Sequence, residues 1–145
     1  VSAQEQGWRG IVPLHSTRSD VERLLGKPMK GYSDLYDTEK ERIIFNYQGQ
    51  PCVASDSQSR PERDGWNVPY DTVLSFTVNL KTKVLLSDIG IDKSKYKEAR
   101  YPYGPDIIYY NNDDDGRSYA VEGRDGTVRS ISFYWTPKDE YLRCK

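Results

Sequence analysis

The chain has 145 residues, 36% of them apolar and 30% charged, with 12 tyrosines, 3 tryptophans and a formal net charge of −1. That length fits about one domain, and the aromatic content excludes a disordered chain. No basic block marks a nucleic-acid partner, and no apolar run nears the roughly 20 residues that span a bilayer.

Val1, Ser2, Ala3 and Gln4 resemble the small-residue end of a cleaved secretory signal peptide, so the chain is expected to be exported, to a periplasm or the extracellular space. Trp8 and the apolar residues 11–14 lead into residues 16–28, which predict a short amphipathic helix. Ser16, Thr17 or Ser19 caps its start, and Asp20 and Glu22 suit the positive end of its dipole. Val21, Leu24 and Leu25 form one apolar stripe, and Gly26 and Pro28 stop it. Residues 29–40 read as a loop. Residues 41–47 are β-branched and aromatic, hence a strand.

A long polar loop over residues 48–71 follows, with Cys52 near its start and Trp66 near its end as expected pins. Residues 72–80 alternate and predict a strand with one buried face. Residues 92–100 predict a second helix, with Asp92 as its cap. Strands over 106–112, 117–122 and 127–135, separated by turns rich in Asn, Asp and Gly, make an antiparallel meander.

The expected class is α+β: one or two short helices packed on an antiparallel sheet. Residues 72–78 line up with 127–133, and 42–47 with 106–111. That gives pseudo-repeats 11–83 and 84–145, each a helix-plus-sheet unit. The alternative is one undivided domain over residues 1–145. Two cysteines far apart, Cys52 and Cys144, do not fit zinc. They read as one disulfide in an exported chain or as two thiols in a cytosolic one.

The capped helix ending in Leu24-Leu25-Gly26-Lys27-Pro28 resembles that of small exported bacterial proteins of the SmpA/OmlA type. That group includes a lipoprotein of the outer-membrane assembly machine. The tandem layout is similar to that of the β-lactamase inhibitor protein. The resemblance implies an exported helix-and-sheet protein that works by contact with other proteins; this chain lacks the lipid-bearing cysteine at its start. Residues 7–14, Gly-Trp-x-Gly-Ile-x-Pro-Leu, are also similar to those of uncharacterised exported proteins.

Catalytic apparatus is sparse. His15 is the single histidine, and no Gly-x-Ser-x-Gly elbow or phosphate-cradling loop is present. Asp34, Asp37, Glu39 and Glu41 contain no pair marked out as glycosidase carboxylates. Asp113 and Asp115 form a calcium candidate, against the plain reading of a hairpin turn. No other metal and no cofactor are implied.

Tyrosine and tryptophan crowd the second half, and both are favoured at protein interfaces. Trp66, Tyr109, Tyr110, Tyr134 and Trp135 are the candidate interface residues. Alternation places Tyr109 and Tyr110 on opposite sheet faces, and likewise Tyr134 and Trp135. The expected function is non-enzymatic: an exported interaction or assembly protein with a protein partner or self-association. One alternative is an inhibitor that inserts the loop over residues 55–66 into an enzyme cleft. Another is a glycan-binding module or hydrolase.

Overall fold

The computed structural model describes residues 7–52 and 65–144. Helix α1 (Arg18–Leu25) starts with a capping box. The Thr17 hydroxyl accepts from the Asp20 backbone, and the Asp20 carboxylate accepts from the Thr17 backbone. The helix ends at Gly26, whose positive φ of 81° suits a residue without a side chain. Val21 is its one fully buried residue. Leu24, expected on the inner stripe, is 44% exposed, while Val21 and Leu25, one turn apart, face the core.

The strands are β1 (Leu35–Asp37), β2 (Glu41–Tyr47), β3 (Val73–Leu80), β4 (Lys97–Arg100), β5 (Ile107–Asn112), β6 (Arg117–Glu122) and β7 (Val128–Phe133). They form one antiparallel sheet in the order β1-β2-β3-β7-β6-β5-β4. A single-turn helix α2 (Leu86–Ile89) follows β3, and a 3-10 segment (Pro137–Leu142) follows β7.

The architecture is β-rich, which overturns the expected α+β class with its helix-plus-sheet repeat. Two local facts explain the error. Residues 92–100 are good helix formers, yet Asp92 caps only a 3-10 turn (Lys93–Lys95), and residues 97–100 pair with β5 instead. Tertiary pairing outweighs helix propensity there. Moreover, β2 and β5, which the repeat equates, are not equivalent. β2 borders β3, whereas β6 and not β5 borders β7.

Alternation sorts the sheet into two faces. Ile43, Phe45, Phe76, Val78, Phe133 and Val121 point to one face and are buried. The Phe76 ring lies 5.1 Å from Phe45 and 4.8 Å from Phe133, centroid to centroid. Trp8, Ile11 and Val21 cover this end, and Leu86 with Tyr110 and Tyr119 fills the other. Arg117, on the same face, donates to the Gly7 carbonyl at 3.2 Å and lies over the Phe133 ring.

A third cluster sits at the start of β3. The bulge at Asn46/Tyr47 leaves Leu74 without an opposite residue, and Leu74 packs with Leu14, Trp66 and Val68. The Trp66 ring packs at a tilt against Trp135, 5.5 Å between centroids, and the Arg143 guanidinium lies 4.3 Å from the Trp66 ring centre. Cys52 and Cys144 are joined in a disulfide beside them. Backbone bonds from Cys52 to Trp66 and from Cys144 to Gly65 complete the pin. Both ends of the polar loop are held as expected, while residues 53–64 lie outside the described residues.

Candidate interaction surface

Among the described residues, no layer of helix or chain covers the second sheet face. Its composition follows from the register. One row runs across all seven strands as Leu35, Ile44, Thr77, Ser132, Ser118, Asn111 and Lys97. The next runs Asp37, Arg42, Asn79, Ser130, Ala120, Tyr109 and Ala99. Small polar side chains dominate the middle. They satisfy one another: Thr77 Oγ1 lies 3.1 Å from Ser132 Oγ, and Ser118 Oγ donates to Asn111 Oδ1 at 2.5 Å. An antiparallel sheet tolerates one solvated face, and this alternation is its signature.

A groove of about 520 Å³ crosses this face, floored by Asn79, Ala120 and Ser130 and walled by Tyr109. The register break at Ala120/Val121 leaves Arg129 unmatched, and Arg129 takes the rim. The rim charges are paired. Lys81 reaches Asp37 at 2.5 Å, Lys83 reaches Asp125 at 3.8 Å and Arg129 reaches Glu122 at 3.4 Å. Each cation lining the groove therefore has an acidic partner, although Asp37 is shared between Lys81 and Arg42.

The sheet ends at β4. All four of its residues are exposed, and it pairs on one side with β5. Just beyond it Tyr101 is 70% and Tyr103 is 93% exposed, and the Tyr101 ring meets Tyr109 edge-on at 5.8 Å.

The expected interface residues divide accordingly. Tyr109 is half-buried on the open face, while Tyr110, on the core face, is buried. Alternation foresaw their opposition. Trp66 is buried against Trp135, which is half-buried; the disulfide draws that loop end onto the sheet. Tyr134 is half-buried, its hydroxyl 2.9 Å from Asp113 Oδ1. The most exposed rings, Tyr101, Tyr103 and Tyr141, were not singled out. Their signal is legible afterwards: Pro102, Gly104 and Pro105 hold Tyr101 and Tyr103 off any strand.

The Asp113 and Asp115 carboxylates serve the turn between β5 and β6. Asp115 Oδ2 accepts from Asn112 at 3.0 Å, and Asp113 accepts from Tyr134. Among the described residues no group of three or more His, Cys, Asp or Glu side chains is placed to hold a metal ion. A side chain at Gly116 would strike the Tyr134 carbonyl, so the turn requires glycine there.

His15 forms the one pairing with a catalytic look. Its Nε2 lies 2.7 Å from Asp139 Oδ1, and Asp139 is buried. The other Asp139 oxygen accepts from the Thr136 backbone at 3.0 Å, so Asp139 also caps the last 3-10 segment. A cavity of about 140 Å³ opens beside them. Ser16 Oγ instead accepts from the Val12 backbone at 2.8 Å, so it is already committed beside His15. Of the acidic group at residues 34–41, Glu41 is buried and bound to Arg9 at 3.0 Å. Asp37 holds Lys81 and Arg42.

Four tyrosines resist ionisation, and burial is what raises Tyr36. Burial, then the neighbouring Tyr119, pushes Tyr96 up to about 12. Burial, then Tyr36, raises Tyr47, and burial, then the Asp113 hydrogen bond, raises Tyr134. The folded state thus favours their neutral forms. The stability they contribute is complete below the ordinary value of 10 and is lost as pH rises through the folded values. Alkaline absorbance titration is expected to show a late tyrosinate class that ionises with unfolding and vanishes in denaturant. Uniform ionisation near the ordinary value in the folded protein would place these hydroxyls in water instead.

No family model matches the chain, and no curated protein matches it. Among solved structures the chain is similar to a DUF4309 family protein (YjgB) from Bacillus subtilis. The identity is 16%, the match covers 90% of this chain and 85% of that chain, and the TM-score is 0.53. That likeness bears on the fold alone.

Proposed function

We propose that this is an exported, non-enzymatic protein that works by contact with proteins, through the open sheet face and the β4 edge. The carrying observation is a continuous face left uncovered among the described residues: two rows of side chains crossing seven strands, ending at an exposed edge flanked by Tyr101 and Tyr103. Edge strands accept partners through backbone hydrogen bonds, and exposed tyrosines are favoured at interfaces. The disulfide supports export, since disulfides persist in oxidising compartments. The capped helix, resembling that of SmpA/OmlA-type proteins, is consistent with an envelope or extracellular setting. His15 and Asp139 read as structural, because Asp139 closes a helix cap and Ser16 is already bound.

The test compares the native protein with Ala120→Arg, which fills the groove floor, and Tyr103→Ala, which strips the edge flank. Particle mass is read by light scattering, and envelope proteins crosslinked to each form are identified. A defined oligomer or one reproducible partner, lost in either variant, is the expected result. A monomer that crosslinks nothing, or binding indifferent to both changes, overturns the reading.

A further inference from the structure

Resting on that reading and sharpening it, we propose that the partner at the β4 edge is a second copy of this chain. The two β4 strands pair antiparallel about a two-fold axis at Ala99, joining both sheets into one.

The argument is one of register. A two-fold axis perpendicular to a sheet keeps each side chain on its own face. Residues directly opposite one another must then come from the same face of β4, so the axis falls on a residue and not between two. Glu98 and Arg100 lie on the core-side face, and Lys97 and Ala99 on the open face, as their pairing with Tyr110, Ile108, Asn111 and Tyr109 shows. Four axes are available. Those at Lys97, Glu98 or Arg100 set like charges directly opposite, which destabilises a strand pair. The axis at Ala99 sets Ala99 against Ala99, and Glu98 against Arg100 of the second copy, twice. It also sets Lys97 against Tyr101, an arrangement open to a cation–π contact.

The charged edge therefore has a double use. It rejects neutral strands, as charges on edges commonly do, and it rejects every self-register but one. Arg100 already holds Asp106 at 3.2 Å, but both side chains are more than half exposed. Such a pair contributes little and is easily shared. An edge of four residues buries less than a stable interface needs, so the association is weak and rises with concentration.

Sedimentation over a concentration series tests this with four proteins: wild type, Glu98→Lys, Arg100→Glu, and the double swap Glu98→Arg with Arg100→Glu. Circular dichroism first confirms that each folds, which exposed edge changes allow. Wild type is expected to dimerise reversibly. Each single change replaces two attractive pairs with two repulsive ones and weakens dimerisation roughly tenfold or more. The double swap returns it to within a few-fold of wild type. A wild-type monomer at every concentration, a dimer indifferent to the single changes, or a double swap that fails to recover each overturns the pairing. A monomer that still crosslinks an envelope protein through the open face sinks the pairing alone and leaves the broader reading standing.

Discussion

Phe76→Ala is expected to destabilise the protein by about 3–5 kcal/mol, the range for emptying an aromatic site in a packed core. Phe76 is 2% exposed at the centre of the sheet. It touches rings on both neighbouring strands, Phe45 and Phe133, and Trp8 from the covering segment. No single neighbour can close the void, because each is itself fixed by the register of its strand. Ser130→Ala, on the opposite face, is expected to fall within about 0.5 kcal/mol of wild type. Urea unfolding of the two variants measures the contrast. Equal effects would mean that the sheet is not one-sided.

Loss of the disulfide has the second large effect. Cys144→Ser, or full reduction, is expected to cost about 2–5 kcal/mol. The bridge closes a span of 92 residues, and the loss of denatured-state entropy grows with the length closed. The cost is also local. Cys144 is buried beside Trp66, and the backbone bonds from Cys52 to Trp66 and from Cys144 to Gly65 depend on the same geometry. Thermal melts with and without reductant are expected to differ by on the order of 10 °C. A melt unchanged by reductant would show that the Trp66, Trp135 and Arg143 cluster holds the tail unaided.

Features with a local cause were legible in the sequence. Thr17, Asp20 and Gly26 mark both ends of α1 because capping chemistry lies within a few residues of chain. The strand over residues 41–47 was foreseen from its β-branched and aromatic residues, and the meander from its turns. Non-local causes were not legible. Lys97, Glu98, Ala99 and Arg100 all favour helix, and only the presence of β5 alongside makes them a strand. β1 has three residues, too few for an alternation to register. The composition of the open face depends on the order in which seven strands meet, so nothing local marks Ser130, Ser118 and Ala120 as neighbours. The burial of Trp66 was not legible, because side-chain type foretells exposure poorly when a covalent link decides where a loop end lies.

The same link has a topological meaning. Cys52 and Cys144 convert most of the polypeptide into a closed ring from which residues before Cys52 extend as a tail. A single cut anywhere on the ring opens it without releasing a fragment. The nicked molecule keeps both pieces at the high local concentration of one molecule, able to re-form the sheet after unfolding. Reductant alone turns such a nick into two separable peptides. Survival after a protease scission is thus set by redox conditions, and a nicked sample stays one species on a non-reducing gel.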